Sequence, residues 1–86
     1  MIIAQMWEAR AAEGRGGELL AWVREQPVVG EPLRYEILSA EGGRVLAITW
    51  WEVPTEAEAL PELPAPPPEL LGRPVHRWRF TSREVR

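Results

Sequence analysis

The stretch LRYEILSAEGGRVLAITWWE, residues 33–52, decides the fold. Its first part alternates. Leu33, Tyr35 and Ile37 point one way and Arg34 and Glu36 the other, the two-residue period of a strand with one wet face. Glu41, Gly42 and Gly43 then read as a turn, with glycines free to take positive φ. In the returning segment Val45, Ala47, Thr49 and Trp51 share one face, and Leu46, Ile48 and Trp50 share the other. Residues 33–52 are therefore predicted to form a hairpin whose second strand is apolar on both sides.

Upstream, MIIAQMWEA also reads as a two-sided apolar strand, with Ile2, Ala4 and Met6 on one face and Ile3, Gln5 and Trp7 on the other. The polar, glycine-rich RAAEGRGG connects it to GELLAWVREQ. There Gly16, Leu19, Leu20 and Val23 share one helical stripe, with Trp22 on its shoulder, and the helix must stop before Pro27.

Downstream, residues 54–74 hold seven of the nine prolines. TEAE predicts a short helix with Thr55 at the N-cap and Glu58 reaching back, ended by Pro61. PAPPPELLG predicts a stiff extended piece and one helical turn closed by Gly72. RPVHRWRF, residues 73–80, is the last strand. His76, Trp78 and Phe80 share one face; Arg77, Arg79 and Thr81 share the other.

Strand, helix, strand, strand, short helix, strand is the split β-α-β order of a ferredoxin-like α+β sheet. The expected architecture is one such domain over residues 1–86, with the first and third strands central and the charged strands at the edges, where charge discourages stray pairing. The helices of so short a chain cover one sheet face. The other would leave Trp, Ile and Val in water, and a homodimer in which two sheets meet is the simplest cover. The arginines of 73–80 are expected at the rim of that second face, within reach of Glu36 on a neighbouring edge.

Composition narrows the function classes. The 86 residues include 45% apolar side chains and five tryptophans, which suits a packed domain. All ten cations are arginine and all thirteen anions glutamate, a surface that suits a thermophile and that a GC-rich genome also produces. Lys, Asp, Asn and Cys are absent, so disulfides and thiolate chemistry are excluded, and no pair of His or Cys stands at metal-ligand spacing. A net charge of −3 argues against a general nucleic-acid or membrane-surface binder. No apolar run has the length of a membrane span, and the N-terminus lacks the pattern of a signal peptide. The expected setting is cytoplasmic, with no cofactor and no metal.

The segments MIIAQMWEARAAEGRGGELLAWV, RVLAITWWEVPTEAEAL and HRWRF together resemble the antibiotic biosynthesis monooxygenase-like family of dimeric α+β barrels. The likeness lies in a first strand running into a glycine-containing connection and a helix, and in a third strand that ends in Trp51 and Glu52. It implies a homodimer with a pocket in each subunit between sheet and helices. Some members of that family oxidise aromatic polyketides with O₂ and neither metal nor flavin, some degrade haem, and others have no established activity. This chain departs from the family in having a proline-rich segment where members carry a longer second helix, often with a histidine near its end. It also lacks the Asn that catalytic members use.

Several residues carry candidate chemistry. His76 is the only histidine and the candidate general base at a pocket mouth; it equally suits a half-buried packing role. Trp7, Tyr35, Trp51 and Trp78 are the candidate lining of a site for an aromatic or hydrophobic molecule, and tryptophan is equally at home in a core or a subunit interface. Arg34 and Arg77 are candidate anion clamps or plain edge charges. If the protein is an enzyme, cofactor-independent oxygenation of an aromatic compound is the reaction implied. The alternatives are a non-catalytic dimer that binds a ligand or simply assembles, and an RNA-binding sheet stacking bases on central-strand aromatics, which the acidic balance disfavours.

Overall fold

Glu41, Gly42 and Gly43 reverse the chain between β2 (Arg34–Ala40) and β3 (Arg44–Glu52), and both glycines sit at positive φ, 79° and 74°. The computed structural model describes residues 1–86. Ahead of the hairpin come β1 (Ile2–Arg10) and α1 (Gly16–Glu25); after it come a single 3₁₀ turn, Pro68–Leu70, and β4 (His76–Thr81). The strands lie in the order β2-β3-β1-β4, each antiparallel to its neighbours. The result is a small α+β domain, one α-helix on a four-stranded antiparallel sheet, compatible with a ferredoxin-like fold.

Register decides which face is covered. Trp7 pairs with Ala47, and Ala47 with Ile37, so these three share one side of the sheet. Helix α1 packs on that side. Leu19 and Val23, one turn apart, are wholly buried against Trp7, Ala9 and Val45, and Leu70 of the 3₁₀ turn closes the cluster. Full burial of each such side chain contributes about 1.5–3 kcal/mol. The helix ends at Pro27 as expected: Gln26 turns extended, and its side-chain amide donates to the Trp22 carbonyl at 2.9 Å. A second, smaller cluster, Ile3, Trp51 and Val53, lies towards the start of β1.

The proline-rich segment does not form the expected helix at 55–58. One turn survives there, with the Glu58 N–H on the Thr55 carbonyl at 3.3 Å. Between Pro54 and Pro61 there is too little chain to repay the cost of starting a helix. Gly72 also has a different role from the predicted cap. Its φ is not positive; a Cβ there would lie 2.9 Å from the Ala11 carbonyl oxygen, and its N–H donates to the Arg10 carbonyl at 2.9 Å. Glycine is required because two backbones nearly touch.

Residues 54–67 instead form a strap tied to the sheet by side chains. Gln5 Nε2 donates to the Pro61 carbonyl at 2.6 Å, Arg77 to the Leu63 carbonyl at 2.6 Å, and Arg79 to the Glu56 and Glu58 carbonyls at 2.9 and 2.7 Å. Arg77 and Arg79 therefore face the helix side, not the rim of the second face. Glu36 lies on the opposite edge strand and pairs with Arg34 at 2.8 Å.

Candidate functional site

Between the two apolar clusters the covered side of the sheet is not filled. β3 presents Ala47 and Thr49 there, two small side chains flanked by Trp51, with Tyr35 opposite Thr49 on β2 and Gln5 opposite it on β1. The hollow above them is a cavity of about 240 Å³. Its floor is sheet: Gln5, Trp7, Tyr35, Ala47, Thr49, Trp51 and Arg77. One wall is the chain leaving α1, Gln26–Val29, and the other is the strap, Pro61–Pro64.

The rings are set by their neighbours. Trp7 is buried and stacks on Trp22 of the helix, centroids 6.4 Å apart and planes inclined by 20°. Trp51 donates its indole N–H to Thr49 Oγ1 at 2.8 Å. Gly30, at φ 79°, lets the loop after α1 pass over Trp51; a Cβ would come within 3.1 Å of the ring. Two polar groups of the floor have no partner: the Trp7 indole N–H and the Tyr35 hydroxyl, both shielded. Burial pushes the Tyr35 phenol above its ordinary value of 10.0, so it remains protonated at neutral pH. Arg77 is held by the Leu63 carbonyl, with Glu62 at 3.9 Å.

Of the five expected site residues, Trp7, Tyr35 and Trp51 come together at this cavity, whereas His76 and Trp78 do not. His76 pairs with Glu8 and Trp78 with Met6, so both side chains lie on the opposite, open face of the sheet. There the two rings meet edge to face, centroids 5.5 Å apart. The cavity holds no histidine. The parity of residues within β4 is plain from its alternation, but which parity faces the helix depends on the β1–β4 register, and a shift of one residue exchanges them. Arg34 lies 5.3 Å over the Trp50 ring and bonds Glu36, so it covers apolar surface of the open face rather than clamping an anion.

Glu8 is the polar residue that sequence reasoning missed. It is only 4% exposed, on the open face of a central strand. Arg44 brings two guanidinium nitrogens to one carboxylate oxygen and Arg73 bonds the other at 2.7 Å, while His76 Nδ1 lies 4.0 Å away. The Arg44 hydrogen bond, with the charges of Arg44 and Arg73, holds the Glu8 carboxyl below its ordinary range despite burial. Its signal was a carboxylate in phase with Ile2, Ala4 and Met6, on a strand face that is apolar up to that point. No group of three His, Asp or Glu side chains stands close enough to hold a metal ion, and no helix is long and apolar enough to cross a membrane. Comparison with protein-family models, with curated proteins and with solved structures finds no match for this chain.

Proposed function

We propose that this protein is a homodimer that binds one compact, largely apolar molecule in the cavity of each subunit. The cavity itself carries the reading: a hollow of about 240 Å³ walled by two tryptophans and a tyrosine, left open by Ala47 and Thr49. Small-molecule sites run to roughly 300–1,000 Å³, so the space suits one or two fused rings rather than a large ligand. The cavity lining has no histidine, its one carboxylate, Glu62, lies 3.9 Å from Arg77, and the Tyr35 phenol is protonated, so the wall is mostly apolar and carries few acid–base groups. That favours binding over oxygenation. Oxygen chemistry of the kind found among antibiotic biosynthesis monooxygenases would have Glu62 as its one carboxylate proton acceptor at the wall.

The open face supports the dimer. Trp78 and Phe80 on one edge are 41% and 52% exposed and Leu38 on the other edge is 38% exposed, and the partly buried Met6, Ile48 and Trp50 lie between them on the same side of the sheet. An apolar sheet face of this kind is normally covered.

Calorimetric titration with tetralin and with 1-tetralone tests the binding reading. We expect saturable uptake of one molecule per subunit, abolished in Thr49→Leu, whose side chain occupies the hollow. Absence of binding by both compounds to the unmodified protein would refute it.

A further inference from the structure

The cavity wall at Pro61–Pro64 belongs to a segment with no backbone hold on the sheet. The main chain is tied just before it and just after it. The Val53 N–H donates to the Met1 carbonyl at 2.9 Å, and the Ala12 N–H to the Leu70 carbonyl at 2.8 Å. Between those ties no backbone hydrogen bond joins residues 54–67 to a strand or to α1. Pro54, Pro61, Pro64, Pro66 and Pro67 have no N–H to give, and their fixed φ keeps the segment stiff. Residues 54–59 are exposed, and Leu60 and Leu63, each partly buried, lean on the two apolar clusters. The polar hold comes from side chains. Gln5 and Arg77 reach the Pro61 and Leu63 carbonyls at the cavity, Arg79 reaches the Glu56 and Glu58 carbonyls away from it, and Arg83 stands 3.5 Å from Glu56. The arginine bonds are open to water, so each favours the closed strap by only about two- to ten-fold.

We propose that the strap is the gate of the cavity: it swings as a stiff piece about its tied ends, near Pro54 and Pro67, and Arg77 and Arg79 are the latches that hold it shut. The inference rests on the reading of the cavity as a small-molecule site and supplies the way in and out. When the latches let go, the Pro61–Pro64 wall lifts from the floor at Gln5, Ala47 and Thr49, while the sheet ladder and α1 keep their own hydrogen bonds. Opening of this local kind needs no unfolding of the rest of the domain. Arg77 lines the cavity and would touch an occupant, whereas Arg79 does not line it and is a positioning residue, acting on the gate from outside. Loosening Arg79 therefore changes how often the cavity opens and not what its walls contact. Entry and exit should quicken together, with affinity unchanged.

Ala47 is 4% exposed on the cavity floor and the chain has no cysteine, so Ala47→Cys places a single thiol that opening of the cavity would bare. Its rate of alkylation by iodoacetamide reads the opening with no ligand present. Adding Arg79→Ala should speed alkylation by about five- to ten-fold, the loss of its hold on two carbonyls, and Arg79→Lys, which keeps a donor, should fall between. Glu8→Gln weakens the fold from the opposite face and is the control; its rate should stay within about two-fold of the single-cysteine protein. If Ala47→Cys does not fold, Thr49→Cys carries the thiol on the same floor. No acceleration by Arg79→Ala would place the opening elsewhere, and equal acceleration by Glu8→Gln would make it global unfolding; either result overturns the gate. With 1-tetralone, Arg79→Ala should raise the association and dissociation rates by the same factor and leave affinity within about two-fold. A change in affinity with an unchanged association rate would also overturn it. Failure of 1-tetralone to bind removes the small-molecule reading, while alkylation still decides whether the strap opens.

Discussion

Gln5 and Thr49 stand opposite one another in the β1–β3 ladder and keep two apolar clusters apart. Trp7 belongs to one cluster and Trp51 to the other, yet both wall the same cavity. A polar and a small residue at this pair, instead of two large apolar ones, is why the covered side of the sheet has a hollow at its middle. Both side chains are also occupied. Gln5 holds the strap at Pro61, and Thr49 fixes the Trp51 indole.

Gly30 lets the loop after α1 run close over Trp51, one wall of that hollow. Its φ of 79° is strained for any other residue here, and an added Cβ would press on the Trp51 ring at 3.1 Å and on Pro61 at 3.4 Å. Gly30→Ala should destabilise the fold by about 1–2 kcal/mol, seen as a lower denaturant midpoint at unchanged m-value. Because the contact falls on a cavity wall, the affinity for 1-tetralone should drop as well. An alanine variant as stable as the parent would show that the loop does not lean on Trp51.

His76 lies across the sheet from the cavity, with its side chain 47% exposed. His76→Ala should therefore leave the affinity for 1-tetralone unchanged within about two-fold, since distant sites do not couple. A larger loss would place the histidine on the ligand side and reverse the face assignment of β4.

Much of this fold could be read from the residues, and the limit was physical. The hairpin at 33–52, the helix ending at Pro27 and the charged edges follow from periodicity and proline sterics, which are local. The TEAE capping pattern forms only one turn because a helix has no room between Pro54 and Pro61. His76 and Trp78 fall outside the cavity because face assignment needs register, a long-range property. The buried state of Glu8 depends on Arg44 and Arg73, 36 and 65 residues away, which no local pattern links.

Glu8 makes stability depend on acid. Its carboxyl is held below 4.5, first by the Arg44 hydrogen bond, so the folded state binds the proton more weakly than the unfolded chain. The stabilisation is fully present above the ordinary carboxylate range and is lost as pH falls below about 4.5 through the depressed value. Glu8→Gln should cost about 1–3 kcal/mol at pH 7, towards the lower end because both arginines are partly in water. Urea titrations at pH 7 and pH 3 should show the gap between parent and variant shrinking in acid. A gap that stays constant with pH would remove the ion cluster from the account.

The open face sets the last expectation. β3 and β1, the two central strands, present Leu46, Ile48, Trp50, Ala4 and Met6 to it, and edge strand β4 adds Trp78 and Phe80. The guanidinium of Arg34, stacked over Trp50, and the His76 ring, edge to face on Trp78, cover part of that surface from within the chain. A face-to-face pair of sheets would bury it, and a charge placed at its exposed margin would then meet apolar surface with no partner. Phe80→Glu and Trp78→Glu should each shift sedimentation from the dimer towards the single subunit and raise the dimer dissociation constant by at least about 100-fold, the effect of roughly 3 kcal/mol. Circular dichroism should remain native, since neither ring belongs to the covered core. If the unmodified protein sediments as one 9.8 kDa subunit at high concentration, the open face is not a dimer interface.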